Sequence, residues 1–72
     1  MNPYYRIWFK ATALHWAMEP GIYRGASKAI EPAQRLANKL HVETSIVEHN
    51  PLNNKHRKTV YTFTPEPNKE EA

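Results

Sequence analysis

Four histidines and seven glutamates are the residues of this sequence that could bind a metal ion, because cysteine and aspartate are both absent. His15, His41, His49 and His56 are predicted to lie on different structural elements. None belongs to a His-Glu-x-x-His motif, the helical spacing that brings two imidazoles to one zinc ion. The sequence therefore predicts neither a metal site nor a cofactor.

Catalytic motifs are also missing from the sequence. It has no serine nucleophile elbow, no glycine-rich loop that could hold a phosphate and no cysteine nucleophile, and its glutamates are scattered. A domain of 72 residues offers little depth for a pocket that holds both a substrate and catalytic groups. We therefore predict no catalytic residues and a protein that is not an enzyme.

The run Tyr-Tyr-Arg-Ile-Trp-Phe-Lys at residues 4–10 is the pattern that most favours binding. As a strand, it places Tyr5, Ile7 and Phe9 on one face. Its other face mixes aromatic and cationic side chains, namely Tyr4, Arg6, Trp8 and Lys10. Trp, Tyr and Arg often dominate the binding energy at protein interfaces, and the same residue types stack on bases of single-stranded nucleic acids. The competing interpretation is that Trp8 only covers an open sheet face or packs beneath residues 13–23.

A second indole and a basic loop extend this predicted surface. The cations of residues 55–58 would attract an acidic partner. The predicted partner-binding residues are Tyr4, Arg6, Trp8, Lys10, Trp16, Lys55, His56, Arg57 and Lys58. We expect a protein-interaction module or inhibitor.

Direct nucleic-acid binding is the alternative function. Residues 1–64 carry nine Lys and Arg against four Glu, a net charge of +5 that suits phosphates as well as an acidic protein. In this alternative the aromatic residues stack on bases, and phosphates contact loop 55–58 and the helix cations Lys28, Arg35 and Lys39. The sequence contains no RNP-type run, no recognition-helix pattern and no KH glycine loop, so a protein partner is favoured.

The elements that must position these residues follow from the spacing of apolar side chains. The first strand is predicted from Tyr4 to about Thr12. Residues 13–18 alternate in a way that could extend the sheet, and a short helical turn is the alternative there. Pro20 and Gly21 mark a turn, so residues 21–25 are predicted to form the main flexible connection.

A helix is predicted from an apolar pattern that begins at Ala26. Its apolar positions recur at helical spacing, at Ala26, Ala29, Ile30, Ala33, Leu36, Ala37 and Leu40. Ser27 is the predicted N-cap, and Pro32 either makes the first turn irregular or begins the regular helix. Glu31 and Arg35 are spaced i, i+4 and form a favourable pair.

Residues 43–49 and 58–64 are rich in β-branched and aromatic residues, and a turn-rich loop at residues 50–57 separates them. They predict an antiparallel hairpin. The whole chain is then an α+β fold, a small antiparallel sheet of three to four strands with one helix packed on one face. The other sheet face has no cover. The hairpin adds to it either Tyr61 and Phe63 or Val60 with Thr62 and Thr64, a choice that the sequence leaves open.

The length predicts a single domain over residues 1–64, followed by an acidic, proline-broken tail at residues 65–72 that we expect to be disordered. The core is thin and has no disulfide, so a homodimer is an open alternative. No stretch approaches the roughly 20 apolar residues of a membrane span. With no signal peptide and no cysteine, we expect a cytoplasmic protein without a membrane partner.

The order of elements resembles that of small phage-encoded accessory proteins, the class that includes anti-CRISPR inhibitors. The resemblance covers the outline of residues 4–64, in which Ala-Gln-Arg-Leu-Ala-Asn-Lys-Leu at residues 33–40 runs into Glu-Thr-Ser-Ile-Val-Glu-His at 43–49 and Thr-Val-Tyr-Thr-Phe at 59–63. It implies a stoichiometric blocker of a host protein or nucleoprotein complex that acts in the host cytoplasm. It assigns no role to any individual residue.

Overall fold

The computed structural model describes residues 2–66, which form one helix and four strands. In chain order these are β1 (Tyr4–Lys10), β2 (Trp16–Met18), α1 (Ala26–Leu40), β3 (Thr44–Asn50) and β4 (Asn53–Phe63). The strands make one antiparallel sheet in the order β2-β1-β3-β4, and α1 packs on one of its faces. The predicted α+β fold is confirmed, and residues 16–18 form a strand.

Helix α1 covers the sheet with small residues. Ala29, Ala33 and Ala37 are completely buried, and so are Ile7 of β1 and Ile46 of β3. Because alanine lets a helix approach a sheet closely, the large side chains at the centre of the core come from the strands. Partly buried apolar residues complete this core: Tyr5, Tyr23, Ile30, Leu36, Val60 and Phe63.

The start of α1 differs from the prediction. The N-cap is Gly25, which has an extended backbone and makes no side-chain cap hydrogen bond. Ser27 lies exposed within the first turn, so its predicted role as N-cap was wrong. The helix runs through Pro32 without interruption and ends at Leu40. The C-cap His41 has a left-handed backbone and donates its N–H to the carbonyl of Ala37. No helix in residues 2–66 has the length and apolarity needed to cross a bilayer.

The hairpin is tighter than predicted. Strand β3 runs to Asn50 and β4 begins at Asn53, so most of the predicted loop at residues 50–57 is strand. The side chain of Asn50 accepts a hydrogen bond of 2.8 Å from the N–H of Leu52, which stabilises the short reversal. Lys55, His56, Arg57 and Lys58 therefore lie on a strand and not on a loop.

The chain after β4 returns along α1. The N–H of Glu66 donates to the side-chain oxygen of Asn38 (2.8 Å), and the amide of Asn38 donates back to the Glu66 carboxylate (3.0 Å). Gln34 also donates to the carbonyl of Thr64 (2.9 Å). Residues 65 and 66 are thus placed against the helix. The remainder of the predicted disordered tail, residues 67–72, lies outside the described residues.

Candidate functional site

The sheet face opposite α1, here called the open face, is covered by no other element of residues 2–66. Cross-strand partners share a face, so the register assigns its members. The open face comprises Tyr4, Arg6, Trp8, Lys10, Trp16, Met18, Ser45, Val47, His49, Arg57, Thr59 and Thr62.

A β-bulge in β4 decides which hairpin residues belong to the open face. Val47 pairs with Thr59, whereas the preceding Ile46 pairs with Tyr61, so Val60 is the extra residue. Val60 packs against the core. The alternative with Tyr61 and Phe63 on the open face was therefore wrong, and in the other alternative Thr62 is placed correctly but Val60 is not.

Four side chains form a cluster on the open face. The Tyr4 and His49 rings are stacked, with centroids 5.2 Å apart and an interplanar angle of 13°. The indole N–H of Trp8 donates a 3.3 Å hydrogen bond to Nε2 of His49, and these ring planes differ by 9°. The guanidinium of Arg57 lies 5.4 Å from the centroid of the Trp8 ring, within the range of a cation–π interaction. We call Tyr4, Trp8, His49 and Arg57 the aromatic cluster.

His49 is the most buried member of the aromatic cluster, with 7% of its surface exposed. Burial lowers the pKa of its imidazole, and the positive charges of Arg57 and Arg6 lower it further. The neutral form with an unprotonated Nε2 is the one that can accept the Trp8 hydrogen bond. The charge state of one ring is therefore coupled to the order of the whole cluster.

A groove of about 280 Å³ lies beside the cluster. It is lined by Trp8, Trp16, Ser45, Val47, Arg57 and Thr59. Trp16 is 39% exposed and neighbouring Met18 is 40% exposed, whereas Val47 is only 8% exposed. The groove thus offers apolar surface bordered by two indoles, and Arg57 also lines a second groove.

The open face is positively charged. Its strands contribute Arg6, Lys10 and Arg57 and no carboxylate; Glu43, just before β3, lies at its margin across from Lys10. Arg6 donates from Nη2 to the carbonyl of Glu19 (3.2 Å), and its buried Nε has no hydrogen-bond partner among the described residues. The ion pair found within residues 2–66 joins Glu31 to Arg35 on α1, so Arg57 has no carboxylate partner in this part of the chain.

Six of the nine predicted partner-binding residues meet on the open face: Tyr4, Arg6, Trp8, Lys10, Trp16 and Arg57. Lys58 does not, because it pairs with Glu48 and faces the helix side. Lys55 and His56 are exposed in the stretch of β4 where the register shifts.

The three helix cations of the nucleic-acid alternative lie away from this surface. Lys28, Arg35 and Lys39 are exposed on α1, on the other side of the sheet from Trp8. They therefore do not form one surface with the aromatic residues, as that alternative required.

His49, Val47 and Thr59 are open-face residues that the sequence-based prediction missed. The alternation of Ser45, Val47 and His49 along β3 was a usable signal, since these residues share one face of a strand. Whether these residues lie on the open face or on the helix side is set by the pairing of Tyr4 with His49, which lie far apart in sequence.

No group of three His or Glu side chains within residues 2–66 is arranged to hold a metal ion. Comparisons with protein-family models, curated protein sequences and solved structures found no match to this chain.

Proposed function

We propose that this chain is a non-catalytic binding protein that docks on a partner protein through the open face. The aromatic cluster carries the proposal, because it presents an ordered group of the residue types that dominate protein interfaces beside an uncovered apolar groove. In keeping with the resemblance to phage accessory proteins, the partner is a host protein or nucleoprotein complex and the chain acts as an inhibitor or adaptor.

The order within the cluster supports tight docking. Trp8 is held by the hydrogen bond to His49, and Tyr4 is held by the stack on the same ring. Side chains already fixed in one orientation lose less conformational freedom when a partner binds. More of the contact energy then remains as affinity.

The same contacts argue for a protein over a nucleic acid. Bases stack on free aromatic faces, but Arg57 lies over the Trp8 ring and His49 covers one side of Tyr4. The helix cations that could hold a phosphate backbone are on the opposite side of the sheet. The open face therefore lacks the continuous stacking platform that single strands use, although it carries cations of its own.

The test is affinity capture from host lysate with the immobilised full chain, with and without nuclease. Trp16→Ala removes an exposed indole from the open face, and Leu40→Ala is the matched control because Leu40 is 43% exposed on α1. We expect a nuclease-resistant protein that Leu40→Ala retains and Trp16→Ala loses, and that binds the purified chain in a fixed ratio.

Three results would contradict the proposal. Capture that disappears with nuclease would indicate direct nucleic-acid binding. Equal capture by both variants would place the binding surface elsewhere. A dimer in light scattering that Trp16→Ala converts to a monomer would show that the open face binds a second copy.

A further inference from the structure

The charge of the open face indicates the chemistry of its occupant, an inference that rests on the proposed function. We infer that the occupant is an acidic protein segment that inserts a bulky apolar side chain between Trp8 and Trp16 while a neighbouring carboxylate pairs with Arg57. The two parts of this inference have separate structural origins, the groove and the guanidinium.

The groove accounts for the apolar side chain. Its volume of about 280 Å³ is bounded by two indoles and Val47, and it opens to solvent on the open face. A space of this size suits one large side chain, such as Phe or Leu, whose burial would cover the exposed part of Trp16. Aliphatic or aromatic anchors in such pockets are typical of interface centres.

Arg57 accounts for the carboxylate. Its position over Trp8 presents the guanidinium next to the groove, and no carboxylate of residues 2–66 pairs with it. A guanidinium binds a carboxylate through two parallel hydrogen bonds, and this geometry is stronger when apolar surface excludes water around it. Arg6 and Lys10 add positive charge on the same face, so an acidic segment is favoured over a neutral or basic one.

The experiment titrates the isotopically labelled full chain with capped probe peptides at low salt. The probes are Glu-Asp-Phe-Asp-Glu, its basic counterpart Lys-Lys-Phe-Lys-Lys, and Glu-Asp-Gly-Asp-Glu, which lacks the apolar side chain. The readout is the pair of indole N–H signals of Trp8 and Trp16. We expect the first probe to shift both signals and to bind at least about tenfold more tightly than either of the others.

Variants separate the contribution of Arg57 from that of net charge. Arg57→Gln should lower the affinity for the first probe by about tenfold. Lys28→Gln makes the same charge change on α1 and should leave that affinity within about twofold of the native value. Absence of any indole shift, equal affinity for the basic probe, or equal effects of the two variants would overturn the inference. The inference would also be overturned if an oligothymidylate bound the same indoles more tightly than the first probe, since the occupant would then be a nucleic acid.

Failure here differs from failure of the proposed function. If capture of a protein still depends on Trp16 but the peptides do not shift the indoles, the open face binds a protein of other chemistry. If capture does not depend on Trp16 and the peptides do not shift its indole signal, the proposed docking through the open face is contradicted as well.

Discussion

The indole nitrogen of Trp8 lies 3.3 Å from Nε2 of His49 and donates a hydrogen bond to it. The bond crosses from β1 to β3 on the open face and requires that Nε2 carry no proton. Within residues 2–66, the groups that face His49 are the rings of Tyr4 and Trp8 and the cations of Arg57 and Arg6, so protonation would gain no nearby carboxylate there. The order of the binding surface is therefore linked to pH.

Stability should fall as the pH drops below the ordinary histidine pKa of 6.5. The folded pKa of His49 is lowered, so between that value and 6.5 the unfolded chain binds a proton that the folded chain does not. The contribution of His49 to the free energy of unfolding is therefore largest above pH 6.5 and decreases as the pH falls through this window. It stays constant below the folded pKa. Urea unfolding at a series of pH values measures it.

His49→Gln is the matched control for this pH dependence. Its amide oxygen can still accept the Trp8 hydrogen bond but does not titrate. The other three histidines are unchanged, so the difference between the two pH profiles isolates His49. Identical profiles would show that the imidazole is not responsible.

Trp16 and Trp8 should respond differently to truncation. Trp16→Ala should weaken partner binding by about 2 kcal/mol and change stability by about 1 kcal/mol or less, because Trp16 is exposed on the short edge strand β2. Trp8→Ala should weaken binding by a similar amount and also cost about 1–3 kcal/mol of stability, since it removes the His49 hydrogen bond and a partly buried ring.

Calorimetric titration with the partner and urea unfolding together separate these two roles. Trp8→Phe keeps a ring but loses the N–H donor, so its stability should lie between those of the native chain and Trp8→Ala. A Trp8→Ala variant as stable as the native chain would show that the cluster does not contribute to folding.

Gly25→Asp should stabilise the protein by about 1 kcal/mol relative to Gly25→Ala. The Gly25 backbone is extended at φ −149°, and an added Cβ would have its nearest neighbour, Oγ of Ser27, at 4.0 Å. A carboxylate there can accept from N–H groups of the first turn, which contains no acidic residue. Thermal or urea unfolding of the two variants tests this, and equal stabilities would mean that no cap forms.

Ala33→Leu should destabilise the fold by about 1–3 kcal/mol. Ala33 has no exposed surface and packs in the core with Ile7 and Ile46, so a larger side chain must push α1 away from the sheet. Leucine has nearly the helix propensity of alanine, which leaves packing as the cause. The control is Lys28→Leu on the exposed side of α1, which should change the unfolding free energy by less than about 0.5 kcal/mol. Similar losses in both variants would rule out tight packing at Ala33.

Much of the fold was predictable because its signals are local. The alternation along residues 4–10 and the helical spacing of apolar residues from Ala26 onward reflect backbone geometry alone, so the type and the buried face of both elements were predicted correctly. Their ends were not, since β1 stops at Lys10 and α1 is capped by Gly25. The predicted loop at residues 50–57 was wrong because pairing with β3 outweighs the weak strand propensity of Asn and Lys.

The sequence by itself determined that Tyr4, Arg6, Trp8 and Lys10 share a face, since side chains alternate along any strand. Only the tertiary structure decided what lies beside them. The pairing of Tyr4 with His49 and the bulge at Val60 depend on contacts between distant segments, which leave no local pattern in the chain. The same contacts put α1, with Lys28, Arg35 and Lys39, on the far side of the sheet, because the buried alanine stripe must face Ile7 and Ile46.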